Sequence, residues 1–88
     1  MEINAAQLGT LELDGIWVPY VDMYDAGFIH RRVTLGRDEY GFESSMIVKG
    51  HGAVLPGRIR DLKAEGKKPL IIEREDRYYL YVSPPPAA

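Results

Sequence analysis

Leu70-Ile71-Ile72-Glu73-Arg74-Glu75-Asp76-Arg77-Tyr78-Tyr79-Leu80-Tyr81-Val82-Ser83 is the stretch on which the fold turns. Strand side chains alternate between faces, so a hairpin centred on Glu75-Asp76, with Arg74 opposite Arg77, sorts its apolar residues into two sets. Leu70, Ile72, Tyr79 and Tyr81 share one face; Ile71, Tyr78, Leu80 and Val82 share the other, together with Glu73. Both faces are nearly full of apolar groups, the pattern of a strand pair covered by a layer on each side. Two covering layers ask much of an 88-residue chain, because surface grows relative to volume in so small a domain. One set is therefore expected to be left for a protein partner. Tyrosine and tryptophan bury large rigid surfaces while keeping one polar atom, which suits them to interfaces. The candidate interface is accordingly Trp17, Tyr78, Tyr79, Leu80 and Tyr81.

Working outward from this hairpin, Pro84-Pro85-Pro86 forbids further pairing, which bounds one domain at residues 1–83 and leaves 84–88 as a proline-rich extended tail. Upstream, Pro56 to Glu65 reads as the one helix. Proline suits a first turn, Leu55, Ile59 and Leu62 form an i, i+4, i+7 stripe, and Gly66 suits the position just past the end. The first hairpin runs from Leu8 to about Val21 and closes on Asp14-Gly15, a dipeptide that favours a type I′ turn. With Leu13 opposite Ile16, the residues Leu11, Leu13, Ile16, Val18 and Tyr20 gather on one face. Thr10, Glu12, Trp17 and Pro19 take the other, where Trp17 alone disturbs a polar set. Asp22 to Gly27 reads as a connection. A second hairpin joins Phe28–Leu35 to Phe42–Lys49 through a turn at 36–41, with Leu35 opposite Phe42.

The fold class that follows is α+β and mostly antiparallel β. About six strands in hairpins build a small sandwich or partly closed barrel, with one short helix between strands 4 and 5. The helix stripe can cover one face of the last hairpin. If the first hairpin's apolar face covers the other, the sandwich closes and the need for a partner disappears; the residues leave both arrangements open.

Composition narrows the function. The formal charge of -2 argues against a broad phosphate-binding surface, since nucleic-acid affinity rests on clustered Lys and Arg. No cysteine is present, so neither a disulfide framework nor a thiolate zinc site is available, and oligomerisation is the remaining common staple for a small domain. The N-terminal residues lack a basic region followed by an apolar run, and no stretch approaches the roughly 20 apolar residues that span a bilayer. A soluble, cytoplasmic protein without a membrane partner is expected.

Residue types for catalysis exist, but not in a catalytic pattern. His30 and His51 are the two histidines, and with Glu43 they show no metal-ligand spacing. Ser44 and Ser45 fall on opposite faces of a strand, and no Gly-x-Ser-x-Gly turn accompanies them. Asp22, Asp25, Asp38 and Glu39 sit where turns favour acidic residues. Gly50-His51-Gly52 is too short for a phosphate fingerprint and reads as a strand-to-helix joint. His30, Arg31, Arg32, Arg37, Arg58, Arg60, Lys63, Lys67 and Lys68 could line up as a basic stripe, with Tyr24 or Tyr40 for stacking, but acidic residues interleave with them. The expectation is a protein that is not an enzyme, takes no cofactor, metal or small-molecule substrate, and binds protein partners. A small regulatory or inhibitory protein that binds a host protein or nucleic acid is the alternative.

Five segments carry a resemblance: Arg31-Arg32-Val33-Thr34-Leu35; Met46-Ile47-Val48-Lys49-Gly50; Leu55-Pro56-Gly57-Arg58-Ile59-Arg60-Asp61-Leu62; Gly66-Lys67-Lys68-Pro69-Leu70-Ile71-Ile72; and Tyr79-Leu80-Tyr81-Val82. In this layout the chain resembles the small tail-associated structural proteins of long-tailed bacteriophages, of the tail-completion, tail-tip and distal-tail type. The resemblance implies a β-rich domain with one helix, self-assembly and contact with neighbouring structural proteins as the whole activity. It also implies a virion component assembled in the bacterial host cytoplasm.

Overall fold

The computed structural model describes residues 2–22, 31–44, 47–48, 54–74 and 77–86. In chain order the elements are β1 (Glu2–Ile3), a 3-10 turn (Ala5–Gln7), β2 (Gly9–Leu13), β3 (Ile16–Asp22), β4 (Arg32–Leu35), β5 (Asp38–Phe42), β6 (Ile47–Val48), α1 (Val54–Ala64), β7 (Lys68–Arg74) and β8 (Arg77–Ser83). Seven strands form one sheet in the order β1-β4-β5-β8-β7-β3-β2, and β6 pairs β8 beside β5. The protein is thus mostly β with one helix, a mixed sheet curled into a half-barrel.

Two hairpins fold as their local chemistry dictates. Asp14 and Gly15 both take positive φ, 52° and 79°, the type I′ geometry whose twist matches the flanking strands. The resulting register pairs Leu13 with Ile16, Leu11 with Val18 and Gly9 with Tyr20. The last hairpin pairs Arg74 with Arg77, Ile72 with Tyr79 and Leu70 with Tyr81. Its expected turn centre, Glu75-Asp76, lies outside the described residues.

The second hairpin differs from the expectation. Leu35 pairs with Asp38, not Phe42, because Gly36 supplies a positive φ of 63° and closes the turn within two residues. Asp38-Glu39-Tyr40, expected in a turn, therefore opens β5, and Tyr40 is buried. Beyond β5 the expected long strand is interrupted. Phe42 pairs with Tyr81 and Ile47 with Tyr78; four residues separate the first members of these pairs but two separate the second, so the two ladders on β8 are not in one continuous register. At the interruption the Glu43 and Ser44 amides both donate to the Leu80 carbonyl, at 2.9 and 3.5 Å. Phe28 and Ile29, the expected start of the third strand, and the connection after Asp22 lie outside the described residues.

Two pairings are parallel, which corrects an all-hairpin architecture. β1 runs parallel to β4 and β3 parallel to β7, with Tyr20 opposite Ile71 and Val21 opposite Ile72. The β3–β7 ladder opens just after Pro19, which has no N–H to donate. The helix spans Val54–Ala64, starting two residues earlier than expected, and lies between β6 and β7 of eight described strands, not between the fourth and fifth of about six, because β1 and the separate β6 add strands ahead of it. Gly66, at φ 78°, ends it: its amide donates to the Lys63 carbonyl and that of Lys67 to the Leu62 carbonyl, both at 3.0 Å, the paired bonds of a Schellman motif.

The sheet separates two apolar cores. Ile3, Val21, Val33, Tyr40, Leu70, Ile72, Tyr79 and Tyr81 pack on the concave side. Val18, Ile71, Leu80 and Val82 meet Leu55, Ile59 and Leu62 of α1 on the convex side, with Leu11, Leu13, Ile16, Tyr20 and Tyr78 at its margin. The first hairpin's apolar face therefore does not cover the last hairpin but lies beside it under the helix, since β3 continues the sheet from β7. The other side is covered by curling, which brings Ile3 of edge strand β1 and Val21 of β3 into one cluster. The proline segment does not run free either: Pro85 and Pro86 lie against Gly41 of β5.

Candidate interaction surface

Curling changes which residues face water. Leu80 is 0%, Tyr81 1% and Tyr79 7% exposed, and Tyr78 is half-buried at the edge of the helix-side core. Three of the five expected interface residues are therefore inside the chain itself. The expectation treated the last hairpin as having one face to spare; a sheet that bends round on itself covers that face without a second layer. Phe42 follows Tyr79 and Tyr81 to the rim of the concave core, its ring centroid 5.7 Å from that of Tyr81 in an edge-to-face contact, and remains partly exposed.

Trp17 alone of the five stays prominently accessible, at 61%. Its position follows from the local sequence. The turn at Asp14-Gly15 fixes β2 against β3, while the β3–β7 ladder begins at Tyr20, just after Pro19. In a two-residue hairpin the residues flanking the turn exchange both backbone hydrogen bonds, and the exchange alternates along the pair. Ile16, Val18 and Tyr20 consequently bond to β2, and Trp17 directs its carbonyl to the opposite side. There Lys63 of α1 donates its Nζ to the Trp17 carbonyl at 2.7 Å, bracing this strand from the helix. At the turn, Glu12 accepts the Gly15 amide at 2.8 Å.

β2 is the outermost strand at this end of the sheet. Its residues are all exposed or half-buried. The strand contains neither Lys nor Pro, residues that commonly blunt sheet edges. The helix lies over β7 and β3. Trp17 at the concave face, Leu11 and Leu13 at the convex face and the outer backbone edge of β2 thus adjoin one another at this end of the sheet. The signal for it in the sequence was the Trp17 interruption of a polar face. What hid the edge was the non-local β3–β7 pairing, which decides which strand is outermost.

Several charged groups elsewhere are engaged with one another. Arg32 pairs with Glu39 at 2.8 Å, Lys67 with Glu65 at 3.2 Å and Lys68 with Asp38 at 3.1 Å. Arg58 donates to Glu43 through Nε at 2.8 Å and also through Nη2, and Ser44 donates to the same carboxylate. Burial pushes the Glu43 carboxyl up, but these hydrogen bonds and the Arg58 charge outweigh it and hold it below the ordinary value. Glu43 therefore ties the interrupted strand to the helix. Tyr20 donates its hydroxyl to Glu73 on the convex side. Tyr40, considered for base stacking, is buried; its hydroxyl is raised by burial first and by Asp38 second. Tyr24, Asp25, His30, Ser45, His51 and the Gly50-His51-Gly52 joint lie outside the described residues.

Among the described residues no group of three or more His, Asp or Glu is placed to hold a metal ion, and no helix is long and apolar enough to cross a membrane. Compared with protein-family models, curated proteins and solved structures, the chain matches none.

Proposed function

We propose that the chain is a non-enzymatic structural or adaptor subunit of a phage or phage-like tail, and that it contacts its protein neighbours through the first hairpin. The tail context rests on the resemblance of the five segments from Arg31 to Val82. The contact surface rests on one observation, Trp17 exposed at 61% on a braced hairpin at the end of the sheet. A rigid aromatic anchor of this kind loses little conformational freedom on binding. Covering roughly 150 Å² of it at about 25 cal/mol per Å² is worth about 3–4 kcal/mol before association costs. That is enough for one contact among many in a particle, where linked contacts add.

Trp17→Ala tests the reading. An exposed side chain away from a core typically changes stability by about 0.5 kcal/mol or less, so the variant should fold as the parent does. It should lose co-purification with the structural proteins encoded beside it. Undiminished co-purification of the folded variant would count against the hairpin as the contact surface.

A further inference from the structure

We propose that β2 is a homotypic docking edge, pairing antiparallel with β2 of a second copy about a two-fold axis at Leu11, so that two half-barrels share one continuous sheet. The proposal deepens the assembly reading, on which it rests, by naming a second copy of this chain as one neighbour.

The backbone parity of the first hairpin selects this register. Leu13 pairs with Ile16, Leu11 with Val18 and Gly9 with Tyr20; being bonded pairs, they turn the N–H and C=O groups of Gly9, Leu11 and Leu13 toward β3. Thr10 and Glu12 turn theirs outward, to the edge that no described strand occupies. Two donors and two acceptors thus stand on that edge. If Leu11 meets Leu11 of the second copy, Thr10 falls opposite Glu12 of the second copy and Glu12 opposite its Thr10. Each is a bonded pair, so every outward N–H finds an outward C=O and none is left over.

Side chains agree with the backbone. Directly opposed residues share a face, so the two Leu11 side chains meet on the convex side at the close, non-bonded site. There each already packs at the margin of its own helix-side core together with Leu13. Gly9 opposite Leu13 leaves room beside this contact. On the concave side Glu12 faces a threonine, and its carboxylate is drawn toward the turn by the Gly15 amide. Shifting the register by one pair toward the turn would set Glu12 directly against Glu12, which is unfavourable. A shift the other way would centre on Thr10 and pair Leu8, which lies outside the strand, with Glu12.

Thr10→Pro is the direct test. Thr10 bonds outward and sits at an edge where proline is tolerated, so the substitution spares the β2–β3 ladder while deleting one N–H from each half of the symmetric junction. Sedimentation of the full chain should give a concentration-dependent mass rising from 9.9 kDa to twice that, and Thr10→Pro should weaken the association by about ten- to a hundredfold, the effect of two lost hydrogen bonds. Leu11→Lys, which sets two like charges together at the axis, should weaken it at least as much and supplies a second variant should proline perturb the strand. A parent that stays monomeric at the highest soluble concentration overturns the inference. So does a dimer that both variants leave intact. Neither outcome touches the wider reading, which falls separately if Trp17→Ala keeps its co-purifying partners.

Discussion

Gly41→Ala probes how tightly the proline segment is bound into the fold. Gly41 lies in β5 between Arg32 of β4 and Val82 of β8, in a backbone conformation that any L residue adopts. At an open strand position the change would stabilise by about 0.5–1 kcal/mol, because alanine has less backbone freedom to lose on folding. Here an added Cβ would lie 2.8 Å from Pro86 Cδ, 2.9 Å from Pro85 Cβ and 3.1 Å from Pro85 Cα. Optimal carbon contacts lie near 3.5–4.0 Å, and one of these neighbours is backbone. Overpacking of this kind costs about 1–3 kcal/mol, so the net expectation is a loss of about 0.5–2 kcal/mol. Equilibrium urea unfolding of the full chain reads it directly, with Pro85→Gly and Pro86→Gly together as the second background. Once the prolines are gone the overlap goes with them, and Gly41→Ala should stabilise. Equal stabilisation in both backgrounds would refute the contact and the reasoning built on it.

Leu80→Ala removes a fully buried side chain at the centre of the helix-side core and should cost about 2–5 kcal/mol in the same assay; a loss below 1 kcal/mol would mean that α1 does not cover this face. By the same argument Tyr78→Ser with Leu80→Ser unfolds the chain instead of releasing a folded monomer, as an exposed last hairpin would have required. Glu43 has a folded pKa held below its unfolded value, so its stabilising contribution is present above the ordinary carboxylate range and is lost as pH falls through the folded value. Glu43→Gln should therefore flatten the acid side of the stability-against-pH curve, and an unchanged acid slope would contradict the Glu43–Arg58 tie. Burial, with a smaller push from Tyr79, raises the Tyr81 phenol from 10.0 to about 12. A raised folded pKa gives stability that is complete below the unfolded value and lost as pH climbs through the folded one. Phenolate absorbance in the native protein should show Tyr81 ionising only at about 12, whereas its titration near 10.0 would place it in water.

Local chemistry was legible in the sequence and long-range pairing was not. The dipeptide Asp14-Gly15 specifies a turn, and with the alternation of Leu11, Leu13, Ile16 and Val18 it fixes the β2–β3 register residue by residue. The two apolar sets of the last hairpin likewise correspond to the two cores, and Gly66 with the Leu55, Ile59, Leu62 stripe locates the helix. Each of these depends on residues a few positions apart. The parallel pairings of β3 with β7 and of β1 with β4 join segments far apart in the chain, and no local pattern marks them. That gap explains the misjudged interface: the last hairpin has apolar residues on both faces whether a partner, a second layer or a curled sheet covers them. Only the topology distinguishes these, and it assigns Tyr79, Leu80 and Tyr81 to the interior while leaving Trp17 outside. The second hairpin failed for a smaller reason, since Gly36-Arg37 can close a tight turn just as well as it can open a longer one.

Amide hydrogen exchange measured over a range of protein concentrations tests the central claim most directly, because it reports the two hairpins side by side in one sample. If the last hairpin is covered from within and β2 is the docking edge, the amides of 78–82 are protected at every concentration. Those of Thr10 and Glu12 exchange freely when dilute and become protected as the concentration rises. Protection that grows with concentration along 78–82, with Thr10 and Glu12 unchanged, would contradict the account and return the interface to the last hairpin.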